Sequence, residues 1–318
     1  MPAQMHPPHI HLVSVFAAGP RGGNPAPIVA DAAGLSDAAM QDVARETGHE
    51  SGFVLPAPPG SGCDFALRFW VPNHEMEMCG HATVGAVWLL DRLGLLPRDR
   101  LRIWTRSGPV EARVDRRGAG GPFVAISQPQ GRTEPLPDTE RMEAEVLAVL
   151  GITSNELAPL PIQNARTSRV KTLVPLKSVA VLDGLRPDFR RMEQLCEWIG
   201  STGLYPYAPA DLDRQTFDAR QFPKASGYPE DAATGIAAAA LAFGLLENRL
   251  LGDPQAPITV RQGRAMGRPS EISVRFQFDG GLEGGLEGGL GGAHPAGCWL
   301  GGAVHMEPTA TALKASRP

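Results

Sequence analysis

The sequence is poor in cysteine: four in 318 residues, at Cys63, Cys79, Cys196 and Cys298. They lie far apart with no C-x-x-C pair, which excludes a small disulfide-stapled scaffold and a paired-thiol zinc or redox motif. A block of like charge is also missing. Thirty basic and 34 acidic residues are scattered along the chain, net charge −4, with a sequence pI near 6.1. That balance offers no electrostatic footprint for nucleic acid or an anionic membrane surface. Apolar runs are too short or too interrupted for a span of about 20 residues. The opening MPAQMHPPHI lacks the apolar stretch of a secretory signal. The expectation is a cytoplasmic protein whose partner is a small molecule, neither nucleic acid nor membrane.

Several motifs are absent as well. No G-x-x-x-x-G-K-[ST] occurs, and no G-x-G-x-x-G follows a strand, so the usual phosphate cradles are missing. There is no G-x-S-x-G elbow, and Ser168 to Lys171 spells S-x-x-K without its companion motifs. His74, Glu75, Glu77, Cys79 and His81 form a dense run of metal-ligand types. On a strand and turn they point to alternating sides, and no H-E-x-x-H helix is possible, so no metal site is predicted. His6, His9 and His11 read in the same way, as part of a Pro-rich tail (1–9) running into a strand. No cofactor is predicted.

What is present suits a globular protein of two halves: 42% hydrophobic and 20% charged residues over a length comfortable for two domains. Ile10 to Phe16 alternates and is rich in β-branched residues, and strands are also predicted near 51–56, 64–70, 101–105, 110–115 and 122–127. Ser36 caps a helix through Thr47, and a second runs near 82–93 to Gly94. The Pro-rich, apolar-poor stretch 128–138 reads as a crossover. Beyond it come helices near 139–150, 188–199 and 234–247, and strands near 171–175, 179–182, 203–207, 214–219, 257–261, 271–278 and 298–306. The halves are placed at 10–128 and 129–306, with loose tails at 1–9 and 307–318. A low-complexity Gly-Leu-Glu insertion is placed at 280–293 and contains GGLEGGLEGGLGG from Gly280.

A weak internal repeat links the halves. RFWVP, CGHATVGAVWLL and RIWTRSG in the first are answered by RQFP, EDAATGIAAAAL and ITVRQG in the second. Thr83 and Thr234 stand 151 residues apart, and Gly108 and Gly263 stand 155 apart. In each half a strand leads through a polar turn into an Ala-rich helix, whose N-terminus favours an anion.

Three side chains near these helix starts can carry chemistry. Glu50, in HESGFVLP, enters a strand from a helix and is placed either as a cleft carboxylate or as an exposed loop acid. Asp231, in PEDAATGIAAAA, is either a functional carboxylate or a helix N-cap. His81, in CGHATVGA, is either a site residue or a capping or packing histidine.

Taken in order, VFAAGPRGGNPAPIV, HESGFV, RFWVPNHEMEMCGHATVGA, ARQFP with PEDAATG, RQGRAMGRPSEISV and WLGGAV resemble the PhzF-like (phenazine biosynthesis-like) isomerase family, which shares the diaminopimelate-epimerase fold. The matches span residues 12 to 304. The resemblance implies an α/β (α+β) fold of two similar domains, each a barrel-like mixed sheet around a central helix, with the active site between them. It implies catalysis without cofactor or metal, and a homodimer. Glu50 aligns with the family's catalytic glutamate, His81 and Asp231 with its active-site histidine and aspartate, and Gly80 with the backbone donor beside that histidine. Cys79, Thr83, Thr234, Gly235 and Ile236 stand at the expected substrate-binding positions around the two helix starts. A glutamate desolvated between two apolar halves would have a raised pKa and could serve as both base and acid.

The sequence departs from the family's EDPxTGS, which here is Glu230-Asp231-Ala232-Ala233-Thr234-Gly235-Ile236. Ile236 removes a hydroxyl donor and makes that wall apolar, so no phenazine substrate is assigned. Cys79 admits a second reading, a thiol and carboxylate racemase or epimerase, although no second cysteine lies near Asp231. A third is a binding or regulatory module without turnover.

Overall fold

The computed structural model describes residues 9–118, 121–278 and 294–307. The Gly-Leu-Glu insertion from Gly280 and most of both tails, His6 included, lie outside the described residues. The chain divides into two compact units. The first takes the described residues up to Ala17, Gly23–Ile126 and those from Gly302; the second takes Ala18–Gly22 and Ser127–Gly301.

In the first unit β1 (Ile10–Val15) pairs antiparallel with β2 (Asn24–Val29). α1 (Asp37–Thr47) follows, started by Ser36, whose hydroxyl accepts from Ala39 N, and ended by Gly48 in the left-handed region. β3 (Ser51–Leu55) runs parallel to β2, and β4 (Phe65–Trp70) antiparallel to β3, with the short β5 (Glu75–Met76) on its flank. After α2 (Gly80–Arg92) come β6 (Arg100–Thr105), parallel to β4, then β7 (Gly108–Asp115) and β8 (Phe123–Pro129), each antiparallel to its predecessor.

α2 is buried at every residue from Gly80 to Leu90. A helix apolar all round belongs inside a core. It packs on β1, β2, β3 and β7, strands from both ends of the sheet, so the sheet curls around it. Gly85 makes the approach possible: a Cβ there would sit 2.9 Å from a Val13 methyl. α1 lies outside the sheet, with Met40, Val43 and Ala44 against Val29, Phe53 and Trp70.

The second unit opens with β9 (Arg132–Pro135), α3 (Thr139–Leu150), β10 (Gln163–Arg166) and β11 (Val170–Pro175). It continues through α4 (Val179–Gly184), α5 (Phe189–Trp198), β12 (Gly203–Asp211), β13 (Thr216–Ala219) and β14 (Phe222–Pro223). α6 (Gly235–Glu247), β15 (Ile258–Gln262), β16 (Ser270–Gln277) and β17 (Gly297–Gly302) complete it. α6, buried from Gly235 to Leu245, packs on β9, β10, β11 and β16, as α2 does in its own sheet. Outside, α3, α4 and α5 share an apolar cluster with β11 and β12 that includes Val146, Leu150, Leu182, Leu195 and Leu204. The chain then returns to the first unit, where β18 (Val304–Met306) pairs antiparallel with β1.

The two sheets have one topology. From β18 through β1, β2, β3, β4, β6 and β7 to β8 the pairings run antiparallel, antiparallel, parallel, antiparallel, parallel, antiparallel, antiparallel. From β9 through β10, β11, β12, β13, β15 and β16 to β17 they run in the same sequence. The central helices start at Gly80 and Gly235, 155 residues apart and each 13 residues long. This is the spacing of Gly108 and Gly263, so the match of Thr83 to Thr234 is out of register; Cys79 is the residue equivalent to Thr234.

Other local expectations change too. Residues 179–182, expected as a strand, form α4, because Ser178 accepts a hydrogen bond from Val181 N and Leu182 turns inward; a four-residue apolar run does not distinguish the two. The stretch 128–138 contains β9, and β10 carries a polar sequence, QNAR, with no apolar alternation to announce it. The run 298–306 breaks at Ala303, and its last strand belongs to the first unit, not the second, because its hydrogen bonds go to β1. Among the described residues no helix is long and apolar enough to cross a membrane.

Candidate active site

In the first unit, Gly48 (φ 68°) swings the chain out of α1 and Glu50 immediately precedes β3. The neighbouring Ser51 is fully buried and pairs with Trp70 across the sheet, which fixes where the Glu50 backbone sits. Cys79 occupies the N-cap of α2 in extended conformation, but its side chain makes no capping hydrogen bond. Its thiol donates instead to Glu50 Oε2 at 3.0 Å. The sulfur also lies 3.4 Å from His81 Nδ1, and that nitrogen is 3.7 Å from Glu50 Oε2. Thus three groups that offer or accept protons meet at the start of a buried helix. Cys79 and His81 are buried, while the Glu50 side chain retains 14% exposure.

The helix start itself is held from below. Thr83 is fully buried, and its hydroxyl donates to Cys79 O at 2.7 Å. Expected as a substrate contact, Thr83 is committed to the backbone of the first turn. With no side-chain cap, the α2 N-terminus presents the positive end of its dipole beside Gly80 and His81.

The second unit repeats this theme with other residues. Thr234 is the N-cap of α6 and again makes no side-chain cap; its hydroxyl donates to Asp231 Oδ2 in a short hydrogen bond. Asp231 is therefore not the cap residue of this helix. Gln262, at the end of β15, ties the turn together: its Nε2 donates to Asp231 O at 2.6 Å, and its Oε1 accepts from Thr234 N at 3.3 Å and from the Tyr205 hydroxyl at 3.0 Å. Tyr205 is wholly buried, and burial together with the Asp231 charge pushes its hydroxyl far above the ordinary tyrosine range, so it stays a donor. Gly235 and Ile236 open α6 and are both buried.

Sequence reasoning missed Gln262 and Tyr205. Gln262 sits in ITVRQG, one of the repeated segments, so a signal existed, but an amide in a strand carries no chemistry of its own to mark it. Of the ligand-type run, His74 and Glu77 are exposed, and only Cys79 and His81 converge. Glu75 is held apart by Arg68, which grips it through two hydrogen bonds of 2.6 and 2.9 Å, and by Arg106. Burial raises the Glu75 carboxyl, but these bonds outweigh it and keep the group below its ordinary value of 4.5.

A family model described as phenazine biosynthesis-like protein (PhzC-PhzF) matches residues 13–283. The chain belongs to this family. Among its PhzC-PhzF relatives, the uncharacterised isomerase YddE of Escherichia coli K12 is 33% identical over 272 residues, covering 84% of this chain and 89% of that protein. The trans-2,3-dihydro-3-hydroxyanthranilate isomerase of Pseudomonas aeruginosa is 34% identical over 267 residues, covering 83% and 88%. A crystal structure of a PhzF-family phenazine biosynthesis protein from Bacillus anthracis superposes with a TM-score of 0.80 at 25% identity, over 96% of this chain and 98% of the other.

Proposed function

We propose that the chain is an isomerase that moves a proton within a small carboxylate-bearing metabolite by general acid/base chemistry, without a cofactor. The observation that carries this reading is Glu50, whose carboxylate is held 3.0 Å from the Cys79 thiol beside an uncapped helix N-terminus. Glu50 is the proton carrier. As a carboxylate it removes a proton from a carbon activated by an adjacent carboxyl or conjugated system, and the electron pair moves into that system. As the neutral acid it returns the proton to a second carbon, and the double bond ends displaced with atoms and charge conserved. His81 and the amides around Gly80 stabilise the negative charge that builds up and hold the substrate carboxylate. In the second unit, Thr234 and Gln262 orient the Asp231 turn.

A second reading, in which Cys79 is the partner acid in an epimerase, is favoured by the thiol's contacts with Glu50 and His81. Inverting a stereocentre with two groups requires them on opposite faces of one carbon, whereas Sγ and Oε2 here are neighbours on one side. The arrangement suits delivery to the same face.

The test is incubation of the protein in deuterated buffer with a panel of amino, hydroxy and cyclic unsaturated acids, trans-2,3-dihydro-3-hydroxyanthranilate among them, followed by NMR. The reading predicts deuterium at a carbon of one class of acid, with a shifted double bond. Tight binding of a panel member with no exchange would support a binding module instead.

A further inference from the structure

Glu50, Cys79 and His81 each present one ligand atom, and the three atoms lie within 4.8 Å of one another. A tetrahedral zinc ion has Zn–S near 2.3 Å and Zn–N and Zn–O near 2.0–2.1 Å, which sets S···N and S···O at about 3.5 Å and N···O at about 3.3 Å. The corresponding separations here are 3.4, 3.0 and 3.7 Å. Each is within about 0.6 Å of the ideal. One sulfur, one imidazole nitrogen and one carboxylate oxygen form a donor set that selects a borderline-soft divalent cation over magnesium or calcium.

We infer that this triad is an inhibitory binding site for a zinc-class divalent cation. The ion displaces the Cys79 thiol proton to solvent and bonds Sγ, His81 Nδ1 and a Glu50 oxygen. Three protein ligands leave the fourth position to water. No oxidation or reduction is involved. Metal and catalysis then compete for the same atoms: a Glu50 oxygen that bonds the ion cannot carry a proton, and His81 is neutralised as a donor. The metal-free chain is the active form, and free zinc holds it off. The inhibitory half of this inference rests on the reading of Glu50 as the proton carrier; the binding half does not.

Other ligand types are poorly placed to compete. Glu75 is gripped by two arginines, and His74 and Glu77 are exposed away from the triad. Burial pushes the Cys196 and Cys298 thiols up to about 11 and about 12, so at neutral pH neither offers a thiolate. Cys63 is half-exposed and is the remaining background thiol.

Titration of the full chain with Cd2+ at neutral pH reads the site through the ultraviolet thiolate-to-cadmium charge-transfer band. The expected result is one ion per chain in both the wild type and Cys63→Ser, displaced by Zn2+. Cys79→Ser should lose the band, and Glu50→Gln should keep it while weakening binding by about tenfold or more. No saturable band in the wild type, or a band unchanged in Cys79→Ser, overturns the site and leaves Glu50's proposed role standing. Deuterium exchange that continues with the site saturated by Zn2+ overturns the inhibition and points the failure at Glu50 instead.

Discussion

Cys79 and Thr234 stand at equivalent positions in the two units, and each turns its side chain onto a carboxylate instead of its own helix. The short Thr234 bond fixes the Asp231 carboxylate, and a hydrogen bond to a charged group contributes about 1.5–3 kcal/mol. Thr234→Val should therefore lower stability by about 1–3 kcal/mol in urea denaturation. Gly263 tests the same turn from the other side. It has φ 78°, and a Cβ there would come within 2.6 Å of Ala232 O and 2.3 Å of Arg268 O. Gly263→Ala should cost about 1–3 kcal/mol from backbone strain alone, with more from these contacts. Its effect should also reach Asp231, visible as a changed chemical shift of that carboxylate. At this scale the residues alone left Glu50, His81 and Asp231 open between site roles and a loop acid, a packing histidine and a cap, and the family resemblance singled them out. The structure brings Glu50 and His81 together at Cys79 and turns Asp231 onto Thr234. The roles of Gln262 and Tyr205 were not legible, since a buried amide and phenol acquire meaning only from what they touch.

Each unit is built around its central helix, α2 or α6, and these two helices were the most legible part of the fold. A run such as GIAAAALAFGLL is apolar on every face, which leaves no position except inside a sheet. Strands lacking apolar alternation, such as β10, were illegible because pairing partners rather than side chains decide them. The approach to α2 depends on β5, where Glu75 receives Arg68 and Arg106. Because the folded-state carboxyl lies below 4.5, its contribution is full above that pH and is lost as the pH falls through the lowered value. Glu75→Gln should destabilise by about 1–3 kcal/mol at pH 7. The gap between variant and wild type should close progressively in denaturation curves taken below pH 4.5.

At the scale of the whole molecule, two sheets with identical pairing order each enclose a helix, and 155 residues separate the helix starts. The duplication showed in the sequence as three short matches; its register emerged only with the helix boundaries. The chain does not pass once from one unit to the other: β18 returns to cover β1. A fragment ending at Ile126 should consequently leave the β1 edge unpaired. The Ser14 amide, which like Leu12 faces β18 while Val13 and Val15 face β2, should exchange with solvent markedly faster than in the full chain, as read by residue-resolved hydrogen exchange.

The central claim is that the Glu50 carboxylate carries the proton, and the most direct measurement is the rate of deuterium incorporation into the acid the protein labels. It should be compared in wild type, Glu50→Gln and Cys79→Ser. The account predicts a loss of about 10³-fold or more in Glu50→Gln, with substrate affinity changed far less, and a smaller loss in Cys79→Ser. Exchange that persists in Glu50→Gln while vanishing in Cys79→Ser would contradict it and make the thiol the base.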